Sequence, residues 1–292
     1  MDHPSFFIAV AFAVGAFVLI VGTLVLRHWW DSRSNKFPLT KRYLRPPGEF
    51  LRVKLEEIDS RVSELLLWLI TAAAFVGVGV YAFLTGPEHV GVAFVVLAVG
   101  FMIYAAARLQ STAKLRRDCY LGFLGERAVG EELNQLMIDG WSVFHDVEFD
   151  DNPGAKSFNV DHVVVGPGGL FAIETKTRRK RKGSGGHEVT FNGQALEYPW
   201  GFEDYGVRNS QERAHYLSQW LSKKLQMDIT ATTVLVLTGW YVRRTGKSGL
   251  AVINDSEIPT FFRDEHKSAR FKPETVASIR ALLDERCRDV GV

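Results

Sequence analysis

The chain has 292 residues, enough for one large domain or two ordinary ones. Its 35 Lys and Arg against 33 Asp and Glu leave a net charge of +2, which by itself does not point to nucleic acid, so any basic signal has to be local. Two cysteines, Cys119 and Cys287, lie far apart without metal-ligand spacing; this argues against a disulfide framework or zinc ribbon and makes a reducing compartment the default.

A mean hydropathy close to zero averages two unlike parts. Phe6 to Leu26 is a run of roughly twenty residues without an ionisable side chain, long enough to span a bilayer. It lacks a basic flank before it and a small-residue cleavage site, so it reads as an anchor rather than a signal peptide. Leu65–Leu84 and Val90–Ala107 are a second and a third span, joined by a short turn through Gly86 and Pro87. No span carries Asp, Glu, Lys or Arg, which disfavours a transporter or channel. Ala73, Gly77 and Gly91 are small residues that let helices approach closely, and they also allow a homo-oligomer through the transmembrane helices. The basic residues fall between spans one and two (27–64) and after span three, so the positive-inside rule puts the N-terminus outside and the C-terminal part in the cytoplasm. The expectation is a multi-pass protein of the plasma or inner membrane. Residues 1–110 form its anchor in the lipid bilayer and 118–292 its cytoplasmic domain. Between the first two spans, Glu49–Glu64 has helical periodicity and reads as an interfacial helix or as a lead-in to the second span.

From Asp118 to Asp139 the pattern is helical, with Leu121, Leu124, Val129, Leu133, Leu136 and Met137 as its apolar stripe and Gly140 ending it. Glycines 122, 125 and 130 inside this helix cost about 1 kcal/mol each relative to alanine and point to close packing. Trp141–Phe149 reads as a first strand, followed by a loop from Asp150 to Gly154. His145 and Asp146 near its end read as structural residues.

Asn159 to Lys176 is the densest stretch. Two apolar runs flank Gly166-Pro167-Gly168-Gly169, a tight β-hairpin. With Pro167-Gly168 as the two-residue turn, Asp161 lies opposite Glu174 and Asn159 opposite Lys176. Alternation then puts Asp161, Glu174 and Lys176 on one sheet face and His162 on the other. Two neighbouring carboxylates on covered strands repel each other and are costly unless paired, and a divalent cation is the obvious remedy. A metal site with a lysine beside it points to phosphodiester chemistry. Arg178, Arg179, Lys180, Arg181 and Lys182 follow at once, placed to draw phosphates to the mouth of such a site. A solvated loop is the plainer reading of the same charges.

Further on, His187–Phe191 is a short strand, and Tyr198, Trp200, Phe202 and Tyr205 are aromatics for packing or base stacking. A helix opens at Arg208 with Asn209 or Ser210 as its cap and Gln211 in its first turn. Thr233–Thr238 and Gly249–Ile253 are strands, and Pro273–Arg288 is a last amphipathic helix with Val276, Ile279, Leu282 and Leu283 inward. The order αβββαβ implies a small mixed sheet flanked by helices.

Asp161 with Glu174-Thr175-Lys176 resembles the catalytic core of the PD-(D/E)xK nuclease superfamily, and over roughly 118–240 the chain resembles the nuclease-related domain, NERD. Val160 stands where the superfamily name has proline, a position at which that proline is often absent. The resemblance implies a restriction-endonuclease-like α/β fold, here preceded by an all-α transmembrane region, and a Mg²⁺- or Mn²⁺-dependent nuclease acting on DNA or RNA. It implies Asp161 and Glu174 as metal ligands and Lys176 as the catalytic cation. Glu126 matches the acidic residue of the first helix, either reaching the metal or remaining a solvated helix charge. Asn209 and Gln211 resemble an Asn-Pro-x-x-Gln motif, with Gln211 holding a water or a phosphate oxygen. The other class is a catalytically inactive, membrane-tethered module of nuclease fold that binds nucleic acid or protein.

Overall fold

The computed structural model describes residues 23, 42–86, 88–149, 158–180 and 186–289. The first span (apart from Thr23), the loop at 150–157, and Arg181 and Lys182 lie outside them. Leu44–Arg288 form one compact unit, and every element below belongs to it.

Two long helices come first, α1 (Glu49–Thr85) and α2 (Glu88–Gln135). Both are long and apolar enough to cross a membrane, and they contain the second and third predicted spans. Glu49–Glu64 is the lead-in to the second span, continuous with it, rather than a separate interfacial helix. α2 likewise runs unbroken from the span through 108–117 into the stretch that carries Glu126, and a 3₁₀ turn at Leu136–Asp139 follows. Gly140 closes that turn at φ 86°, the left-handed position that favours glycine.

Where α1 meets α2, the buried residues are Ala72 and Gly79 on one helix and Gly91, Ala98 and Ala105 on the other, all spaced by seven. Gly91 lies in this seam as expected, whereas Ala73 and Gly77 are exposed and Ala72 and Gly79 take their place. A seven-residue seam needs small side chains at its own heptad positions, and Ala73 and Gly77 fall off it. A Cβ on Gly91 would stand 2.3 Å from the backbone nitrogen of Phe83, while one on Gly100 would meet nothing within 4 Å. Gly91→Val is therefore expected to destabilise the hairpin by roughly 1–3 kcal/mol through overpacking. Gly100→Val serves as the control of equal helix propensity. Thermal midpoints of the two variants in detergent micelles check this, and equal midpoints would contradict it. Nearer the sheet, Leu55, Ile58 and Cys119 form a small core joined by Leu51, Val62 and Phe123. Arg116 pairs with Asp59 across the two helices.

The main sheet has five strands: β1 (Ser142–Phe149), β2 (Phe158–Gly166), β3 (Gly169–Thr177), β7 (Ala231–Thr238) and β9 (Leu250–Ile253). Their order is β9-β7-β3-β2-β1. β1, β2 and β3 are antiparallel neighbours, and β3, β7 and β9 run parallel. Gly166 faces Gly169, the register counted from the hairpin turn. A second sheet joins β4 (Glu188–Phe191), β5 (Leu196–Tyr198), β6 (Gly201–Glu203) and β8 (Tyr241–Arg244) in the order β6-β5-β4-β8. The 187–191 strand thus belongs outside the main sheet.

α3 (Tyr205–Leu225) and α5 (Pro273–Arg286) pack Ala214, Leu217, Leu221, Ile279 and Leu283 against Val163, Val165, Leu170 and Ala172. On the other face, Val129 and Leu133 of α2 and Ile258 and Phe262 of α4 (Ile258–His266) cover Val164, Phe171 and Ile173. The architecture is the mixed α/β core with the order αβββαβ, preceded by helices. Three details differ from the sequence reading. Leu124 and Met137 are exposed, because the α2 stripe that faces the sheet is Val129, Leu133 and Leu136. α3 begins a turn earlier, after Asp204, so Ser210 is inside it, buried, with its hydroxyl donating to the Val207 carbonyl. Gln211 is correspondingly in the second turn.

Candidate active site

β2 and β3 carry the acidic pair, and the side chain of Asp161 shapes the local strand geometry. The β2–β3 ladder is regular from the turn back to His162 and Ile173. One step further, the Thr175 amide donates to Asp161 Oδ2 at 2.8 Å, so a carboxylate oxygen takes a bond that a strand carbonyl would otherwise accept. Asp161 and Glu174 are both buried, and Arg213 of α3 reaches them from the α3 face. Its Nη1 donates to Asp161 Oδ1 at 3.1 Å and to Glu174 Oε2 at 2.5 Å. A shared nitrogen thus gathers one oxygen of each carboxylate around a single positive charge. Lys176 Nζ stands 3.9 Å from the same Glu174 Oε2. Gly206, two turns before Arg213 on α3, lies over it: a Cβ there would be at ordinary contact distance, 3.5 Å, from Lys176 Cγ.

Arg213 had not been singled out from the sequence. The signal was available, because it sits beside Ala214 on the stripe formed by Val207, Ser210, Ala214, Leu217 and Leu221, where a charge needs a buried partner. Gln211, by contrast, is exposed and lines a groove with His215, Asp228 and Thr230, among residues that include none of the acidic pair.

Glu126 is buried, and close packing delivers it there. A Cβ on its neighbour Gly125 would stand 1.8 Å from Thr177 Oγ1, so α2 lies directly on β3. Burial raises the Glu126 pKa far above the usual carboxylate range, to about 10, and the charges of Asp161, Asp146 and Glu174 push the same way. Burial and Asp161 likewise raise Glu174, against the pull of Arg213 and Lys176. Arg213 and Lys176 are the cations that face Asp161 and Glu174, and burial favours the protonated form of Glu126. Glu126 Oε2 and Glu174 Oε1 are buried oxygens without a hydrogen-bond partner.

Asp146 completes the acidic row. It is fully buried at φ 47°, in the left-handed region, and faces Asp161 across β1 and β2. Its carboxylate accepts from the Phe50 amide at the start of α1 and from Asn159 Nδ2. Burial and Asp161 raise its pKa to about 7. Asp146 therefore caps the helix that leads into the membrane candidate span. On the opposite face His145 and His162 join Nδ1 to Nδ1 at 2.9 Å, between Asn134 and Thr175. With the Asn134 oxygen as acceptor, His145 Nε2 donates to it and His162 Nδ1 donates to His145. Burial pushes both rings down to about 3, so they are neutral links between α2 and the strands.

The basic run is partly engaged. Arg178 makes a two-pronged pair with Glu203, Arg179 donates to the Arg117 carbonyl, and Lys180 lies over the Trp240 ring. Tyr198 and Trp200 stack on each other beside Trp240, packed under the loop, whereas Phe202 and Tyr205 are exposed.

Residues 121–238 match the family model of the nuclease-related domain, NERD. This part of the chain is similar to nuclease-related domains. The matched segment holds Glu126, Asp161, Glu174, Lys176 and Arg213, which agrees with a place in the PD-(D/E)xK superfamily. No curated protein matches the chain. Among solved structures it is similar, at 14% identity and a TM-score of 0.26, to the crystal structure of protein VC1899 from Vibrio cholerae, over 85% of this chain and 59% of that one.

Among the described residues no group of three or more His, Cys, Asp or Glu side chains is gathered closely enough to hold a metal ion. The donor chemistry of the nuclease-related domain nevertheless suits a hard divalent cation. It offers oxygens only, on mutually repelling carboxyls, and two of those oxygens are buried and unpartnered.

Proposed function

We propose that the nuclease-related domain is a Mg²⁺- or Mn²⁺-dependent nuclease that hydrolyses phosphodiester bonds of DNA or RNA. Membrane helices hold it at the cytoplasmic face of the bilayer. The observation that supports this reading is the meeting of Asp161 and Glu174 on one guanidinium nitrogen, with Lys176 on the same face. Asp161 and Glu174 would hold the ion, joined by Glu126, whose buried Oε2 has no hydrogen-bond partner. The ion would supply Lewis acidity and neutralise charge at the scissile phosphate. Lys176 stabilises the negative charge that develops on that phosphate. The 178–182 cations hold the nucleic-acid backbone without reading bases, which suits a sequence-tolerant enzyme.

The anchor rests on the apolar, outward-facing surfaces of α1 and α2 and on the Lys and Arg distribution, which orients the N-terminus outward. Gly77 and Gly100, with open space around them, leave room for a second copy in the bilayer. The test is cleavage of single- and double-stranded DNA and RNA by the full-length protein in detergent micelles, with Mg²⁺, Mn²⁺ or chelator. Metal-dependent cutting is the expected result. Binding without cutting under either metal would favour the second reading, an inactive nucleic-acid-binding module. One observation leans that way: Arg213 already pairs with one oxygen of each carboxylate.

A further inference from the structure

We propose that Arg213 is a built-in counterion that competes with the divalent cation for Asp161 and Glu174, holding the acidic pair closed until the ion displaces it. This rests on the metal-dependent reading of the same site. Asp161 Oδ1 and Glu174 Oε2 are the oxygens that Arg213 Nη1 bridges, so an ion that took them would have to displace the guanidinium. The carboxylates sit on adjacent strands, and both are buried.

The way Arg213 is held favours a displaceable occupant over a permanent structural one. An arginine paired for stability presents its fork to one carboxylate through two parallel bonds, as Arg178 does with Glu203. Arg213 instead uses a single nitrogen for both carboxylates, and its Nε is buried without an acceptor. The seat leaves donor capacity unused, which lowers the cost of leaving it. A route out exists as well, because the side chain is 19% exposed whereas Glu174 is 1% exposed. Once displaced, a guanidinium on α3 beside Lys176 is placed to take a phosphate oxygen.

The experiment measures Mn²⁺ binding by the loss of the free-ion paramagnetic resonance signal, without nucleic acid, on the full-length protein in micelles. Arg213→Gln is expected to bind Mn²⁺ at least about tenfold more tightly than wild type, and Arg213→Lys by an intermediate factor. Lys176→Gln is the control. It removes the same charge from the same face but not from the bridging seat, and its affinity is expected to rise less than about threefold. Circular dichroism of each variant confirms the fold, and Arg213→Lys carries the comparison should Arg213→Gln unfold. Equal affinity in wild type and Arg213→Gln, or an equal gain in Lys176→Gln, would overturn the competition while leaving the metal reading intact. Weaker binding by Arg213→Gln would make the arginine a support of the pair rather than its rival. Absence of binding by every form would overturn both this inference and the metal dependence beneath it.

Discussion

Lys176→Ala is expected to slow single-turnover cleavage by on the order of 10²–10³, the loss seen when one preorganised electrostatic group is removed from a transition state. Equilibrium binding of uncleaved nucleic acid should change by no more than about threefold, because a group acting on developing charge contributes little to the ground state. The structure separates this role from general attraction. Lys176 is held on β3 beneath Gly206, 3.9 Å from Glu174, while the 178–180 cations are engaged with Glu203, the Arg117 carbonyl and Trp240. The rate is to be measured at saturating nucleic acid and Mg²⁺ alongside binding in the same buffer. A Lys176→Ala protein that cuts as fast as wild type would remove the lysine from the mechanism even if the nuclease itself is real.

Glu126→Gln is expected to make the metal-free protein more stable at alkaline pH. Glu126 is a carboxyl whose folded pKa, about 10, lies far above its unfolded value near 4.5. Between those values the folded state keeps a proton that the unfolded state has released. Its contribution therefore opposes folding increasingly as pH rises through the window, by roughly 1.4 kcal/mol per unit. Glutamine has the shape of the protonated acid and no proton to lose, so the difference between variant and wild type should grow from near zero at pH 5 to several kcal/mol at pH 9. Glu174 and Asp146 also have raised values and stay in both proteins, so the difference reports Glu126 together with its charge coupling to them. Denaturant midpoints across pH 5–9 in chelator check this. A constant difference across that range would mean that Glu126 ionises freely in the fold. Such a cost is what a binding carboxyl incurs when it is buried in advance of its ion.

Much of this was legible from local pattern. The β2–β3 register follows from a two-residue turn and side-chain alternation, both short-range properties, so the shared face of Asp161, Glu174 and Lys176 could be counted along the chain. Helix spans in the apolar third follow from length and hydropathy in the same way. The α3 boundary was missed by a turn because Asn209 and Ser210 are good caps in isolation. The folded helix buries Gly206, Val207 and Ser210, and packing overrode the capping preference.

What the tertiary structure alone decided is which distant residues join the pair. Arg213 lies 52 residues from Asp161 and 39 from Glu174, and no local period encodes where α3 sets it down. Glu126 looks like Glu131 and Glu132 in the sequence. It is distinguished by Gly125, which lets α2 touch Thr177 and carries the neighbouring carboxyl out of water. Asp146 reads as a strand-end acid, yet its left-handed backbone turns it under the first turn of α1. In each case the deciding quantity is a docking distance between two elements, set by side-chain volume at their contact. Alternation and helical period report only which face of one element is buried, and leave open what that face will meet.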